Sequence, residues 1–297
     1  MSALHVVATG APVLVQDLGR PGLAGLGVAE SGALDPGALR LANRLVGNPE
    51  DAAGLEVTLG GLVLRAEGEV LLAVTGAPLA VTVVRDGTRR THGVGAAVAV
   101  PDGAEVALGA PARGLRSWVG VRGGLATARP LGSASVDLLA GLGSPPGPGS
   151  VLPVGPAPEE AAPALDQVPL PAPPDGDLEL RVVLGPRDDW FGPDALAALR
   201  GPWTVDARSN RVGIRLEGPE LVRRAERLDA ELPSEGTVAG AVQVAATGRP
   251  VLFLADHPVT GGYPVVACVV VDDLPLAAQA APGHRVRFRP VRGPRLP

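Results

Sequence analysis

The sequence predicts a mainly β protein with two domains and a few short helices. Its 297 residues are enough to build two hydrophobic cores. The chain contains 41 glycines and 32 prolines, a composition typical of many short strands joined by tight turns. Aromatic residues make up only 2% of the chain, so valine, leucine and alanine must fill the cores.

A proline-rich segment marks the expected domain boundary. In residues 144–175, 11 of 32 positions are proline, and the remaining residues show no periodicity. This composition favours an extended, polyproline-like connector or a long surface loop. We therefore predict an N-terminal β domain over residues 1–143 and a C-terminal β domain over residues 176–297.

In the first domain, short apolar runs predict a series of strands, beginning with Leu4–Val7. One helix is expected at Asp35–Val46, because Asp35 can cap it, Pro36 suits its first turn and apolar residues recur on one face. The Asp86-Gly87 pair predicts a hairpin turn.

In the second domain, the alternating run Leu178–Leu184 predicts the first strand, and Pro193–Leu199 predicts a short helix. The continuous apolar runs 251–255 and 265–271 are typical of core strands. Trp190 and Phe191 are expected to anchor the core, since aromatic residues are scarce.

Charge and composition exclude several functions. The chain has no lysine, so all 26 basic residues are arginine, which excludes Schiff-base chemistry and a phosphate-binding lysine. A net charge of -5 argues against a nucleic-acid partner. No run reaches the ~18 apolar residues of a membrane helix, and the N-terminus does not resemble a secretory signal. We expect a cytoplasmic protein without a membrane partner.

The strongest candidate site is the segment Ser234–Tyr263, which places a polar loop between two apolar strands. Glu235 and Asp256 are candidate general bases or orienting carboxylates. Thr260 and Tyr263 could donate hydrogen bonds to a substrate. The glycines between them would let the backbone approach a ligand.

Other motifs leave two interpretations open. In the turn Gln16–Gly22, Asp17 and Arg20 could hold each other while backbone amides receive an anion, or form a purely structural salt bridge. Ser31 could help a helix N-terminus to bind an anion, or belong to a plain cap. Arg122-Gly123 suits either a ligand contact or a bend in a barrel.

Arg211 is compatible with a salt bridge or an anion contact, and His257 with a base or a solvated loop histidine. Cys268 is expected to be a buried, inert thiol. No serine–histidine–aspartate order or zinc-ligand spacing is present, so protease and zinc functions have no support and no metal site is expected.

Taken together, these motifs resemble the allophanate hydrolase subunit 2 family, also described as biotin-dependent carboxyltransferase-like. The family includes the C subunit of bacterial ATP-dependent 5-oxoprolinase and the regulatory protein KipA. The resemblance runs nearly end to end and is carried by these segments: Gln16–Gly22, Ser31–Asp35, Ala42–Asn48, Leu55–Glu56, Val121–Gly124, Leu131–Ser133, Ser234–Gly236, Gly240–Val244 and Thr260–Pro264.

The resemblance implies two tandem cyclophilin-like β-barrel domains and a hetero-oligomer with A and KipI-like B subunits. The implied reaction is ATP-dependent cleavage of the lactam 5-oxoproline to glutamate, with ATP and Mg shared with the KipI-like partner. The B and C subunits would phosphorylate the lactam carbonyl oxygen, and the A subunit would open the ring. The chain would be inactive without its partners.

Two alternatives stay open. One is a KipA-like binding module that sequesters a KipI-type kinase inhibitor. The other is the carboxyltransferase component of a biotin-dependent urea or amide carboxylase, with biotin carried in trans because the chain has no lysine to hold it.

The motifs and the resemblance together define a set of expected site residues. The predicted catalytic residues are Asp17, Arg20, Glu235 and Asp256. The predicted substrate-binding residues are Gln16, Ser31, Asn43, Arg122, Gly123, Ser234, Gln243, Thr260, Gly261, Gly262 and Tyr263. The chain departs from the family pattern at His257-Pro258-Val259, where the family usually has Gln-Thr.

Overall fold

A computed structural model of the chain describes residues 2–164, 167–171, 173–174 and 176–292. The chain divides into two compact units: residues 1–20 with 31–173, and residues 21–30 with 174–297. The division at 173–174 lies at the end of the proline-rich segment. Most of that segment therefore belongs to the first unit, and four of its positions (165, 166, 172 and 175) lie outside the described residues.

The first unit is built from two antiparallel sheets around one core. The six-stranded sheet has the order β11-β1-β4-β9-β6-β7 and the five-stranded sheet the order β2-β3-β10-β5-β8. The strands are β1 Ala3–Ala8, β2 Val13–Gln16, β3 Gly54–Thr58, β4 Val63–Glu67, β5 Val70–Gly76, β6 Val81–Arg85, β7 Thr88–His92, β8 Ala97–Val100, β9 Glu105–Leu108, β10 Arg116–Val121 and β11 Val151–Pro153. Valine, leucine and alanine from both sheets fill the core, as the composition predicts.

The proline-rich segment is more than a connector. Its strand β11 pairs with β1 in antiparallel register, with Leu152 opposite Leu4. Leu152 is buried in the core of the first unit. The alternation of Val151, Leu152 and Pro153 supplies one inward-facing side chain at the sheet edge, where a proline that donates no hydrogen bond is tolerated.

One helix covers the outer face of the five-stranded sheet. Helix α1, Pro36–Leu45, begins where the sequence predicts, and the Asp35 side chain accepts a hydrogen bond from the Ala38 N–H at 2.9 Å. The helix lies directly on β10 at Gly120, where a Cβ would be 2.7 Å from the carbonyl carbon of Ala42. Glycine at this position lets the helix backbone approach the sheet.

The second unit contains a closed barrel of seven strands in the order β12-β19-β16-β17-β14-β13-β20. Its strands and helices are β12 Leu178–Leu184, α2 Pro193–Leu199, β13 Trp203–Val205, β14 Gly213–Glu217, β15 Glu235–Gly236, β16 Ala241–Val244, β17 Pro250–Phe253, β18 Thr260–Gly261, β19 Val265–Val269, α3 Leu274–Ala277 and β20 Arg285–Pro290. The pairing of β12 with β20 is parallel, whereas the other barrel pairs are antiparallel.

The prediction of a mainly β fold with short helices is confirmed, and so is a barrel in the second half of the chain. In the described part of the first unit, the strands form the two sheets rather than one closed barrel. Trp190 and Phe191 are buried as predicted. Cys268 is half-buried in β19, and burial raises the pKa of its thiol. Among the described residues, none of the helices has the length and apolar character to cross a membrane.

Candidate functional site

The Asp17 carboxylate is the centre of a buried polar cluster in the first unit. Asp17 follows β2, and only 3% of its surface is exposed. Its two oxygens accept hydrogen bonds from five groups, all within 3.1 Å: the backbone N–H groups of Gly19 and Ala134, the hydroxyls of Ser133 and Ser135, and the guanidinium of Arg129. The short polar residues Ser133 and Ser135 therefore have a defined partner, 116 and 118 residues away in sequence.

These contacts determine the protonation state of Asp17. Burial alone would raise the pKa of this carboxyl group, but hydrogen bonds from Ser133, Ser135, Ala134 and Gly19 outweigh burial and lower the pKa below its ordinary value of 3.8. Asp17 is therefore charged at neutral pH. Because its oxygens already accept five hydrogen bonds, its geometry suits holding neighbouring groups in position, and the predicted catalytic role stays a prediction.

Arg20 is not the partner of Asp17, so the predicted mutual salt bridge across the turn is wrong. The Asp17 side chain faces the 133–135 segment, where Arg129 is its ionic partner. Arg20 instead donates from Nη2 to the backbone carbonyls of Ser133 and Ser135. Arg20 is 2% exposed, and its Nε and Nη1 have no hydrogen-bond partner within the described part of the chain.

Gln16 and Ser31 flank this cluster. Gln16 is fully buried and donates from Nε2 to the carbonyl oxygen of Val136 at 2.9 Å. Ser31 has a left-handed backbone (φ 54°) and precedes Ala33, whose N–H donates to the Asp17 carbonyl oxygen at 2.9 Å. The structure therefore brings the predicted residues Gln16, Asp17 and Arg20 together and places the Ser31 loop beside them.

A buried glutamate that the motifs did not assign to the site lies nearby on the same unit. Glu56, in the middle of β3, accepts hydrogen bonds from the Leu34 N–H at 3.0 Å and from the Trp118 indole N–H at 3.3 Å. The Arg116 guanidinium lies 3.5 Å from its other oxygen. The sequence feature that could have located this group is a glutamate placed between two apolar residues, Leu55 and Val57. Burial raises the pKa of Asp35, and the negative charge of Glu56 raises it further.

Asn43 and Arg122 are predicted substrate-binding residues whose side chains form hydrogen bonds with other residues of this chain. Asn43 donates to the Ala52 carbonyl oxygen at 2.8 Å and accepts from Asn48 at 3.1 Å. The Arg122 guanidinium donates to backbone carbonyl oxygens of Val46 and Pro158 at 2.8 Å, and also to that of Glu160. These side chains therefore fasten loops around the end of β10, and their role toward a substrate stays a prediction.

A cleft of about 630 Å³ opens beside this end of β10. Gly123, a predicted substrate-binding residue, lies in its wall with a left-handed backbone (φ 94°), and its N–H donates to Asn48 at 2.8 Å. The cleft is lined by Asn48, Pro49, Asp51, Ala52, Ala53, Gly123, Gly124, Leu125, Ala126, Thr127, Arg129, Pro156, Ala157, Pro158 and Glu159. All of these residues belong to the first unit, and Arg129 links the cleft to Asp17.

In the second unit, the predicted segment Ser234–Tyr263 folds back on itself. Strands β15 and β18 form a two-stranded sheet in which Glu235 lies opposite Gly261. Gln243 donates from Nε2 to the Tyr263 carbonyl oxygen at 3.0 Å and so holds the far end of the loop. The structure thus brings these predicted residues together. Of the predicted site residues in this segment, Ser234, Thr260, Gly262 and Tyr263 are exposed.

Both predicted catalytic carboxylates of this unit are paired with arginine. Glu235 is bound through both oxygens by Arg187, with the Nε contact at 3.2 Å. Asp256 is bound in the same bidentate way by Arg211, at 2.8 and 2.9 Å. The open question about Arg211 is therefore answered by a salt bridge. The Asp256 pair is buried, whereas the Glu235 side chain is 30% exposed.

His257 is buried, so its interpretation as a solvated loop histidine is wrong. Its ring is stacked with that of Phe253, with centroids 6.1 Å apart. Its Nδ1 lies 2.8 Å from the Pro258 carbonyl oxygen and 3.3 Å from the Thr237 hydroxyl. The ring therefore helps to hold the polar loop, because Pro258 directly follows it and supplies the carbonyl acceptor.

The candidate site thus consists of two sets of residues, one in each unit. The first is the Asp17 cluster with the adjoining cleft, and the second is the β15–β18 loop with its two arginine–carboxylate pairs. Within the described residues, no group of three or more histidine, cysteine, aspartate or glutamate side chains is placed to hold a metal ion.

Comparison with known proteins assigns the class. Residues 26–290 match the carboxyltransferase domain family, subdomains A and B. The chain belongs to this family, which confirms the resemblance drawn from the motifs.

Particular relatives narrow the assignment. The C subunit of 5-oxoprolinase from Escherichia coli (strain K12) is 34% identical over 290 residues, which cover 96% of this chain and 90% of that protein. The protein of the same name from Haemophilus influenzae is 30% identical over 282 residues, 93% of this chain and 87% of that protein. The crystal structure of Kluyveromyces lactis urea carboxylase matches with a TM-score of 0.88 and 28% identity, over 98% of this chain but 27% of the carboxylase chain.

Proposed function

We propose that this chain is the C subunit of an ATP-dependent 5-oxoprolinase, acting in the cytoplasm with A and KipI-like B subunits. The observation that carries the proposal is the 34% identity to the C subunit of a 5-oxoprolinase, over 96% of this chain and 90% of the relative. The relatives named urea amidolyase share 30% identity, but this chain covers only 17% of their length.

The proposed reaction needs an activation step, because a lactam amide resists attack by water. Transfer of the γ-phosphoryl group from ATP to the lactam carbonyl oxygen would form a phosphorylated imidate and release ADP. A first water would attack the ring carbon, and the carbon–nitrogen bond would break as the nitrogen takes up a proton, which leaves γ-glutamyl phosphate. A second water would hydrolyse this acyl phosphate to glutamate and phosphate. This chain would bind and orient the lactam for the first step.

The nucleotide with its Mg is assigned to a site shared with the B subunit. The cleft of the first unit carries the carboxylates Asp51 and Glu159 against the single guanidinium of Arg129, a charge balance that does not suit a triphosphate. The chain also has no lysine for a phosphate loop.

Glu235 is the predicted catalytic carboxylate that is best placed to touch a substrate. Its side chain is 30% exposed, whereas those of Asp17 and Asp256 are at most 4% exposed. Its bidentate pairing with Arg187 fixes the direction of its oxygens. We assign Glu235 to the orientation of a reactant of the phosphoryl transfer, with Thr260 exposed on the paired strand as a hydrogen-bond donor and Tyr263 exposed two residues beyond that strand.

Reconstitution tests the proposal. The chain is combined with its A and B partners, and ATP-dependent release of glutamate from 5-oxoproline is measured, with each of the three proteins omitted in turn as a control. Glutamate release that needs all three proteins is expected, and no release with all three present would overturn the proposal. Glu235→Gln should lower the rate at least tenfold, whereas Glu226→Gln, an exposed glutamate of the same unit, should leave it unchanged.

The similarity to urea carboxylase supports a second candidate, a carboxyltransferase component that receives a carboxyl group from biotin held by another protein. Supplying the chain with a carboxybiotin-bearing carrier and urea distinguishes the two. Loss of carboxyl label from the carrier that depends on this chain would favour the second candidate over the first.

A further inference from the structure

We propose that the cleft of the first unit binds a small ligand that carries one carboxylate and one N–H group, with Arg129 as the residue that recognises the carboxylate. Naming that ligand as 5-oxoproline rests on the proposed function. The binding chemistry itself rests on three observations: a positioned guanidinium, the charge balance of the cleft and an unpartnered hydroxyl in its wall.

The guanidinium of Arg129 is held at the cleft wall by the Asp17 cluster. Its Nη2 donates to Asp17 at 3.1 Å, and that carboxylate is itself fixed by four further hydrogen bonds. The Arg129 side chain is 51% exposed, and Asp17 is its hydrogen-bond partner among the described residues. The remaining N–H groups are thus available for a second, bidentate contact with a ligand carboxylate.

Arg122 shows by contrast why Arg129 is the recognising group. Both arginines lie near the end of β10, but Arg122 donates to three backbone carbonyl oxygens, those of Val46, Pro158 and Glu160. Its donors are used to hold loops. Arg129 therefore supplies the guanidinium that lines the cleft, and this residue was absent from the predicted site because its partner is 112 residues away in sequence.

The charges around the cleft select the class of ligand. Arg129 supplies one positive charge, and the exposed carboxylates of Asp51 and Glu159 supply two negative charges. A polyphosphate would find one guanidinium for several negative charges, whereas a monocarboxylate with an N–H group needs only that one cationic contact and can donate to an acidic side chain. A lactam acid such as 5-oxoproline and an amino acid such as glutamate both have this combination.

Thr127 adds a second polar group to the same wall. Its Oγ1 is shielded from solvent and has no hydrogen-bond partner among the residues that the structure describes. A buried hydroxyl without a partner is costly unless a ligand or water satisfies it. The cleft volume of about 630 Å³ lies within the range of ligand-binding clefts and leaves room for a small acid.

The test measures binding by titration calorimetry on the full chain in complex with its partner proteins. The probes are 5-oxoproline, pyrrolidin-2-one, which lacks the carboxylate, and ATP. Arg129→Gln should weaken 5-oxoproline binding by about 10- to 100-fold and leave pyrrolidin-2-one binding unchanged. Arg90→Gln, an exposed arginine on β7 outside the cleft, is the matched control and should bind as the unaltered chain does.

Thr127→Val separates ligand binding from folding. Valine has nearly the same shape and removes a hydroxyl that has no hydrogen-bond partner among the described residues, so the melting temperature should stay the same or rise while 5-oxoproline binding weakens severalfold. If Arg129→Gln does not fold, Arg129→Lys keeps the charge but not the bidentate geometry, and it should bind 5-oxoproline at least severalfold less tightly than the unaltered chain.

The outcomes distinguish this inference from the proposed function. If the reconstituted enzyme releases glutamate and Arg129→Gln retains the original affinity and KM for 5-oxoproline, the cleft assignment is overturned and the function stands. If no combination of the three proteins releases glutamate but 5-oxoproline binding still depends on Arg129, the function falls and the cleft assignment stands. Binding of ATP in the cleft, lost with Arg129→Gln, would also overturn the inference.

Discussion

Replacement of Asp17 by asparagine tests whether the buried carboxylate holds the first unit together. The serine hydroxyls around Asp17 can rotate to accept from the new amide, but the Gly19 N–H and the Arg129 guanidinium cannot. The neutral amide loses the ion pair in either orientation, and its NH2 group faces the N–H of Gly19 in one orientation and that of Ala134 in the other. At about 1.5–3 kcal/mol for a hydrogen bond to a buried charge and up to about 1 kcal/mol for a half-exposed ion pair, we expect the free energy of unfolding to fall by about 2–4 kcal/mol at pH 7.

The pH dependence of this difference follows from the lowered pKa of Asp17. A lowered carboxyl pKa contributes stability above its ordinary value of 3.8, and this contribution is lost as the pH falls toward the pKa of the folded state. The gap between the original protein and Asp17→Asn should thus stay constant from pH 7 to about pH 4. Below that it should narrow by about 1.4 kcal/mol per pH unit.

Urea denaturation is followed by hydrogen–deuterium exchange of peptides from the first unit. This measures the loss of stability at pH 7 and its pH dependence for the first unit alone. A decrease smaller than about 1 kcal/mol at pH 7 would refute the argument that these hydrogen bonds stabilise the unit. A gap that does not narrow below pH 4 would refute the assignment of a lowered pKa to Asp17.

Two further substitutions test the packing and the ion pairs. Gly123→Ala would place a Cβ 2.2 Å from the Gly155 carbonyl oxygen, so it should lower the free energy of unfolding by more than about 3 kcal/mol in a thermal denaturation experiment. Gly132 has a similar φ of 88° but open space around it, so the control Gly132→Ala should lower the same free energy by only about 1–2 kcal/mol. Arg211→Leu removes the guanidinium that pairs with the buried Asp256 carboxylate, so it should lower the free energy of unfolding in urea by about 3–5 kcal/mol. The double variant Arg211→Leu with Asp256→Leu should recover most of this loss. Equal instability of the single and double variants would contradict this prediction.

Local patterns in the sequence were enough to predict the elements whose formation depends on neighbouring residues. The start of α1 was predictable because a capping aspartate, a first-turn proline and an apolar face all occur within 12 residues, and the structure shows the cap. The hairpin at Asp86-Gly87 was predictable for the same reason, since both residues adopt the left-handed backbone that this dipeptide favours.

Contacts between distant parts of the chain were not predictable from local patterns. Asp17 and Arg20 are close in sequence and opposite in charge, which favours a pairing between them, but Asp17 pairs with Arg129. Only the antiparallel sheets bring the segments together. The apolar run 265–271 was likewise expected to be one core strand, whereas β19 ends at Val269 and Val271 is exposed, because a short 3₁₀ turn begins there.

The same difference between local patterns and contacts of distant segments applies to the functional residues. The motifs located the polar segments of the candidate site, because glycine and hydroxyl residues stand out against apolar strands. They did not show which side chains are already bound by the protein. Arg122, for example, is typical of a ligand contact in the sequence, yet its guanidinium is bound by three carbonyl oxygens once the loops are folded.

The grouping of residues 21–30 with the second unit has a consequence for any attempt to split the protein. A protease that cuts after Pro173 would leave these ten residues on the N-terminal fragment, separated covalently from the body to which they belong. The N-terminal fragment would carry all of the first unit, whereas the C-terminal fragment would lack residues 21–30 of the second unit. Gene fission or domain shuffling at this point would therefore be penalised, and the two halves are expected to be inherited as a single uninterrupted reading frame.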